Sequence, residues 1–303
     1  MLVATVVGMT TLLACGGHES SPTAPTAVVG GPVGAPGPVA AAPAVLVGAG
    51  DIALCGTHLA NAEATARLLD GMPGTVFTAG DNTQDRGTLQ EFRECFEPTW
   101  GRHKNRMRPV PGNHDYGMPN GTGYFEYFGA AAGNPGEGYY SYDLGGWHIV
   151  ALNSNISMER GSAQAAWLRN DLQSNPSRCT AAYWHHPLNS SGPNGGSHSV
   201  RHAWEVLHEF GAEIVMNGHD HLFERFALQD PSGRSDPHRG IRQFTVGTGG
   251  IFLYGTAKVH PNSEVRGDAH GVLRLTLRSD GYDWQFVPVA GHSFTDAGSG
   301  SCH

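Results

Sequence analysis

Five short stretches of the 303-residue chain carry side chains able to hold a cation or move a proton: Gly50-Asp51, Gly80-Asp81, Gly112-Asn113-His114-Asp115, His185-His186-Pro187 and Gly218-His219-Asp220-His221. Together they offer two carboxylates (Asp51, Asp81), an amide oxygen (Asn113) and three imidazoles (His185, His219, His221). That set suits two adjacent divalent ions. Oxygen and nitrogen donors without thiolate favour Zn, Mn, Fe or Co over Cu(I) or an iron–sulfur cluster. A carboxylate can bridge two ions about 3.5–4 Å apart, and such a pair clamps an in-line displacement and makes a bound water nucleophilic near neutral pH. Histidine is abundant, with 17 in all and seven between His185 and His221. Taken singly, each stretch has a plainer reading. Asp51 and Asp81 fit turns or helix caps, Asn113 a turn, and His185 a structural histidine. His219 and His221 carry more weight, because i and i+2 on an extended segment face one side while Asp220 faces the other.

The stretches share a position. Each follows a short apolar run that reads as a buried strand: Ala44–Gly50, Thr75–Ala79, Arg108–Val110, Thr180–Trp184 and Glu213–Met216. Sites in open α/β folds collect at the carboxyl ends of strands. Helical spacing marks Leu59–Leu69, Leu89–Phe96, Ser162–Leu172 and Ser199–Phe210. Tyr139–Asp143 and His148–Asn153 read as strands joined by a Gly-Gly turn. Further strands are expected at Phe223–Ala227, Ile241–Val246, Val272–Leu277 and Tyr282–Val287. Alternating strands and helices followed by a strand-rich end imply a mixed α/β sandwich.

Composition narrows the classes. With 39% hydrophobic and 15% charged residues, 43 Gly and 19 Pro, the chain is neither a coiled coil nor a polytopic membrane protein. A net charge of −8, from 19 Lys+Arg against 27 Asp+Glu, removes the basic surface a general nucleic-acid binder needs. The uncharged start MLVATVVGMTTLLA is shorter than the about 20 apolar residues of a membrane span and fits the apolar core of an export signal. Leu12-Leu13-Ala14-Cys15 resembles a bacterial lipoprotein processing site, though no Lys or Arg precedes it. A plain cleaved signal and a cytosolic start are the alternatives. The organisation expected is therefore a signal segment over 1–15, a Gly/Pro/Ala-rich tether over 16–43 and one catalytic domain over 44–303. A lipidated Cys15 would hold the protein at a membrane surface of the cell envelope; periplasmic or extracellular release is the alternative. Cys55, Cys95, Cys179 and Cys302 allow three pairings. Sequence order favours Cys55–Cys95 and Cys179–Cys302, with free buried thiols as the other possibility.

The order Gly-Asp, Gly-Asp, Gly-Asn-His-Asp, His-His-Pro, Gly-His-Asp-His resembles the calcineurin-like metallophosphoesterase superfamily, and most closely its purple acid phosphatase-like branch, from about Val45 to Gly250. The resemblance implies a four-layer α/β/β/α sandwich of two mixed sheets with a dinuclear metal site at the strand ends. It implies that Asp51 and His221 hold one ion, that Asn113, His185 and His219 hold the other, and that Asp81 bridges them. A hydroxide on or between the ions would attack phosphorus directly. His114 would touch the transferring phosphoryl group, and Asp115 would orient His114 through its ring nitrogen. His185 takes the ligand role because in this family it falls to the His before X-Pro; His186 is left as a pocket-lining residue or a structural one. His198 is a substrate-contact candidate from the Gly/Ser/Asn-rich loop Asn189–Ser199, whereas His202 reads as a helix residue.

Two positions depart from the family. Asp51-Ile52-Ala53 lacks the His of the Asp-X-His found in many members, which matches the purple acid phosphatase-like branch. Gln84 stands where that branch carries a Tyr three residues after the bridging Asp, so the resemblance implies no metal–phenolate colour here. Gly247-Thr248-Gly249-Gly250 lacks the Gly-Lys-Ser/Thr of a nucleotide loop and reads as a tight turn. The basic run Arg102–Arg108 reads as a solvated connection. The expected activity is phosphomonoester hydrolysis of broad scope. A phosphodiesterase acting on nucleotides or phospholipid head groups is the alternative within enzymes, and a catalytically silent metal-binding surface lipoprotein the alternative outside them.

Overall fold

In the strands that precede the candidate ligands, apolar residues occupy consecutive positions rather than alternating with polar ones, the pattern of a sheet buried on both faces. A computed structural model of the chain describes residues 1–2, 10–11, 43–56 and 58–303. Cys15, and with it almost all of the expected signal segment and tether, lies outside the described residues; Met1, Leu2, Thr10 and Thr11 carry no helix or strand. Residues from Pro43 onward pack as one unit.

In chain order the first strands are β1 (Ala44–Ala49), β2 (Thr75–Ala79), β3 (Met107–Val110), β4 (Tyr140–Leu144), β5 (Trp147–Ala151), β6 (Thr180–Tyr183) and β7 (Ile214–Asn217). They are followed by β8 (Phe223–Phe226), β9 (Arg242–Val246), β10 (Ser263–Gly267), β11 (Gly271–Arg278), β12 (Gly281–Pro288) and β13 (Ala297–Ser301). Two sheets result, ordered β13-β12-β11-β1-β2-β3 and β10-β8-β9-β7-β6-β5-β4. In the first sheet the parallel strands β1-β2-β3 run to one edge and antiparallel strands continue from β1; in the second the parallel strands β5-β6-β7-β9 are flanked on both sides by antiparallel ones.

Alternation along the strands makes the layers. Ile149, Ala181 and Ile214 enter the core between the sheets, where they meet Leu46, Phe77, Leu273 and Phe286. Their neighbours Val150, Ala182 and Val215 face outward into a second core with Leu168, Trp204 and Leu207, which lie on α4 (Ala163–Ser174) and α5 (Arg201–Glu209) once α1 (Leu59–Asp70), α2 (Leu89–Glu91) and α3 (Thr122–Phe128) are counted. On the far side, α1 buries Ala62, Ala66 and Leu69 against the first sheet. The four-layer α/β/β/α sandwich is as expected. Ser162 caps α4 by accepting from the Ala165 amide at 3.1 Å, the arrangement that satisfies an otherwise unpaired first-turn N–H.

The structure corrects one local expectation and adds three elements. Leu89–Phe96 is not one α-helix. The capping box of Thr88 and Glu91 starts α2, but Phe92–Phe96 continues as a π-turn that points Phe92, Cys95 and Phe96 inward together. Those rings meet Tyr127 and Phe128, and Cys95 bonds to Cys55. Strands β10 and β13 and helix α3 were not expected at all. The other disulfide joins Cys179 to Cys302, so both pairings follow sequence order.

Candidate metal centre

The loops that carry the candidate ligands begin by prolonging the parallel pairing of the strands before them. Beyond β1 and β2 the chains stay side by side, with Asp51 N–H donating to Gly80 O at 3.0 Å and Ile52 N–H to Asp81 O at 2.9 Å. Asp51 and Asp81 then take left-handed backbone angles, φ 60° and 47°, as does His219 at 73°. Such angles cost a non-glycine residue about 1–3 kcal/mol and cluster at functional sites. The preceding glycines are required by proximity: a Cβ on Gly112 would overlap the Asp81 carboxylate, and one on Gly218 would lie 2.5 Å from Asp51 Oδ2.

All six sequence-derived ligand positions converge. His185 Nε2 lies 3.0 Å from Asn113 Oδ1, 3.2 Å from Asp81 Oδ2 and 3.2 Å from His219 Nδ1. His221 Nε2 lies 3.4 Å from Asp51 Oδ1. Asp51, Asp81 and His185 are fully or almost fully buried. Backbone amides hold both carboxylates in place: His219 N–H donates to Asp51 Oδ2 at 2.8 Å and His114 N–H to Asp81 Oδ1 at 2.8 Å.

Tautomers test whether these residues fit a cation. His185 Nδ1 lies 2.8 Å from Ala79 O, and His221 Nδ1 lies 2.9 Å from Phe252 O. A carbonyl only accepts, so each Nδ1 carries a proton and each Nε2 is left facing the carboxylates, where it can take a second proton or a cation. Around His185 Nε2 meet a carboxylate oxygen, an amide oxygen and a second imidazole nitrogen. A buried cluster of that kind is stable only around positive charge, so the donor set fits divalent cations. The same demand appears in the acid–base properties. Burial disfavours a charged His185, but the Asp81 carboxylate outweighs it and lifts the pKa to about 9. Burial would raise Asp51, yet hydrogen bonding to His221 and the charge of His185 bring it down to about 2. His219 falls to about 4 through burial and the neighbouring His185.

Other expected residues are placed differently. His219 and His221 do not sit on an extended segment. Tight turns bring the two rings round, with Asp220 N–H donating to Gly218 O at 2.9 Å and Leu222 N–H to Asp220 O at 2.8 Å. Asp220 does face away, accepting from Asn194 N–H at 3.0 Å and from the Ser190 hydroxyl. Asp115 does not orient the His114 ring. Its buried carboxylate accepts from the backbone amides of Asn82, Thr83 and Gly112 at 2.9–3.2 Å, and burial with the charge of Asp81 lifts its pKa to about 7. Asp115 therefore ties the second and third ligand loops together, while His114 Nδ1 lies 3.2 Å from Asp85 O and Nε2 lies 3.9 Å from Asp81 Oδ2. His198 is exposed, 3.0 Å from an Arg201 nitrogen, and makes no hydrogen bond to the six ligand positions. His202 pairs with Glu205 on α5 at 2.9 Å. Gln84 Nε2 donates to Asp51 Oδ1 at 3.2 Å, so it braces a carboxylate.

Some residues at the centre belong to no motif. Tyr254 stacks on His221 at 4.2 Å, and its hydroxyl donates to His219 O at 3.1 Å. Ser154, just past β5, touches His186. Nothing in the local sequence marks them, because their role depends on where distant loops return.

The fold and the centre define a two-sheet α/β sandwich whose strand-end loops assemble nitrogen and oxygen donors able to hold a metal ion. Residues 46–223, more than half of the chain, match the family model of calcineurin-like phosphoesterases, and the protein belongs to that family. Among curated relatives, purple acid phosphatase 15 of Arabidopsis thaliana is 30% identical over 156 residues, 44% of this chain and 29% of that protein. Probable purple acid phosphatase 20 of the same plant is 26% identical over 204 residues, 57% of this chain and 47% of its own. The chain thus spans less than half the length of either. Among solved structures, purple acid phosphatase PPD1 from yellow lupin (Lupinus luteus) seeds shares the fold with a TM-score of 0.69 at 16% identity, over 86% of this chain and 54% of that one. GAP50, the anchor in the inner membrane complex of Plasmodium, has a TM-score of 0.66 at 14% identity, over 84% and 88%.

Proposed function

We propose that the protein is an exported, metal-dependent phosphoester hydrolase that acts first on phosphomonoesters. Folds host many functions, so the reading rests on the site. One observation carries it: Asp51, Asp81, Asn113, His185, His219 and His221, drawn from five loops, meet with oxygen and nitrogen atoms 3.0–3.4 Å apart.

Asp51 and His221 would hold one cation, Asn113, His185 and His219 the other, and Asp81 both. When bound, a divalent pair of this kind neutralises phosphoryl oxygens and supplies a nucleophilic water near neutral pH. The chain's own residues do the rest. Main-chain carbonyls at Ala79 and Phe252 fix two imidazoles as ligands. Asp115 locks the loops at Asn82 and Gly112. His114 turns Nε2 toward Asp81 from a half-exposed ring and is placed to hold a phosphoryl oxygen or protonate the leaving oxygen.

Export is supported by two disulfides, which persist in oxidising compartments. Anchoring through a lipidated Cys15 is part of the proposal, as are a small phosphoester as substrate and the absence of nucleic acid as a general partner. The deciding assay loads the protein with Zn, Mn, Fe or Co in turn and offers a mono- and a bis-nitrophenyl phosphate. Faster monoester hydrolysis supports the proposal. Faster diester hydrolysis transfers the site to phosphodiesters. Two bound ions without turnover under any metal would make it a silent metal-binding protein.

A further inference from the structure

His186 lies beside the ligands but is wired in the opposite sense. Its ring centroid is 4.5 Å from that of His219 and 4.9 Å from that of His185, and one ring nitrogen from each of the three lies within 4.8 Å of the other two. Proximity alone would make it a seventh ligand. Its hydrogen bonds argue otherwise. Ser154 Oγ accepts the His186 backbone N–H at 3.1 Å and lies 2.8 Å from His186 Nδ1. A hydroxyl has one proton. Ser154 makes no other side-chain hydrogen bond among the described residues, so its proton is satisfied within the protein only by pointing at Nδ1. With the Ser154 proton on that contact, Nδ1 accepts and the ring's own proton sits on Nε2. His185 and His221 show the reverse arrangement, with Nδ1 donating to a carbonyl and Nε2 left to face the carboxylates.

The surroundings hold this geometry. Asn153, next to Ser154, is buried, and its side-chain amide donates to Glu137 O at 2.8 Å and to the Tyr116 hydroxyl at 2.8 Å. Trp184 Nε1 donates to the His186 carbonyl at 2.8 Å. The residue before Ser154 and the His186 carbonyl are therefore both held by hydrogen bonds.

We propose that His186 is a catalytic residue of the phosphoryl site: it donates Nε2–H to an oxygen of the bound phosphoryl group, and Ser154 is the positioning residue that sets its tautomer. This rests on the phosphoester reading above. A neutral N–H adds a hydrogen bond to the anion without repelling the neighbouring cations, as an ammonium or imidazolium would.

The test uses the zinc-loaded full chain, which is diamagnetic, and inorganic phosphate as the probe. Imidazole 15N NMR of the wild type should show His186 protonated at Nε2, and Ser154→Ala should mix the tautomers. His186→Phe removes the donor while filling the space. It should weaken phosphate binding about 10- to 100-fold, the worth of one hydrogen bond to a charged group, and keep both zinc equivalents. His186→Gln, which restores an N–H, should recover part of the loss. A wild-type ring protonated at Nδ1 would overturn the proposal, as would His186→Phe binding phosphate within twofold of wild type. Loss of one zinc equivalent in His186→Phe would make His186 a ligand instead. Should that variant fail to fold, the wild-type tautomer and the phosphate affinity of Ser154→Ala decide. Phosphate binding that depends on His186 in a protein that hydrolyses no phosphoester would uphold the donor and remove the hydrolase reading, so the two fail separately.

Discussion

Replacing Asp81 by Asn keeps the side chain's shape and removes its charge. Asp81 Oδ2 faces His185 Nε2 at 3.2 Å, and Oδ1 accepts the His114 amide at 2.8 Å. An Asn carbonyl can keep the second contact, so the fold should survive. The charge has no substitute. At an effective dielectric of about 20, a unit charge pair at the 3.2 Å separation of Asp81 and His185 is worth about 5 kcal/mol. A divalent ion in the same gap feels at least as much, and the amide dipole returns part of it. A net loss of about 3 kcal/mol corresponds to more than about 10²-fold in affinity. Asp81→Asn should therefore bind the pair of ions at least about a hundredfold more weakly by calorimetric zinc titration, retain one ion or none after gel filtration, and lose turnover of nitrophenyl phosphate in parallel. If it keeps two ions and turns over within about twofold of wild type, Asp81 is not the shared ligand and the reasoning fails.

Gln84 gives a spectroscopic expectation: its amide meets Asp51, so the ferric-loaded protein should show no intense visible band, whereas Gln84→Tyr should introduce one; a band in the wild type would contradict the assignment. The Cys179–Cys302 bond closes 123 residues and Cys55–Cys95 closes 40, which by chain entropy are worth about 5 and about 4 kcal/mol. Denaturant unfolding should thus find the C179S/C302S variant less stable than C55S/C95S, and the opposite order would refute the entropic account. His148 is buried between Asp171 at 2.8 Å and Asp143 at 3.0 Å. Burial opposes its charge, but the two carboxylates outweigh it and raise its pKa. A raised folded-state pKa stabilises below the unfolded value near 6.5, and that contribution is lost as pH rises through the folded value. His148→Gln should therefore cost more stability at pH 6 than at pH 9 in urea titrations; an equal cost at both would show that the ring acts by packing alone.

Much of the candidate centre was legible because each of its five stretches follows a buried strand, and four of the five begin with a glycine. A run such as Ala44–Ala49 must be central in a sheet, and a polar residue at its end must lie at the sheet's edge with the others. The apolar pairs Ile149-Val150, Ala181-Ala182 and Ile214-Val215 likewise betray strands covered on both faces. What failed to show depends on partners remote in sequence. The strand Ala297–Ser301 has a single small apolar residue, Ala297, too little to signal it. Its glycines are required because Trp284 and Tyr282 lie across them, so that a Cβ at Gly298 or Gly300 would collide with those rings. The π-turn at Phe92–Phe96 answers to the Cys55 bond and to Tyr127, neither visible from the local pattern. The motif Gly-Asn-His-Asp brings Asn113 to the other candidate ligands, but the partner of Asp115 is set by the loop after β2, and the partner of His186 by the loop after β5.

The central claim is that two cations share Asp81, and anomalous diffraction at the zinc edge from crystals of the zinc-loaded protein tests it most directly. Two peaks astride the Asp81 carboxylate, one within bonding distance of Asp51 and His221 and the other of Asn113, His185 and His219, are the result expected. A single peak, or peaks away from Asp81, would contradict it.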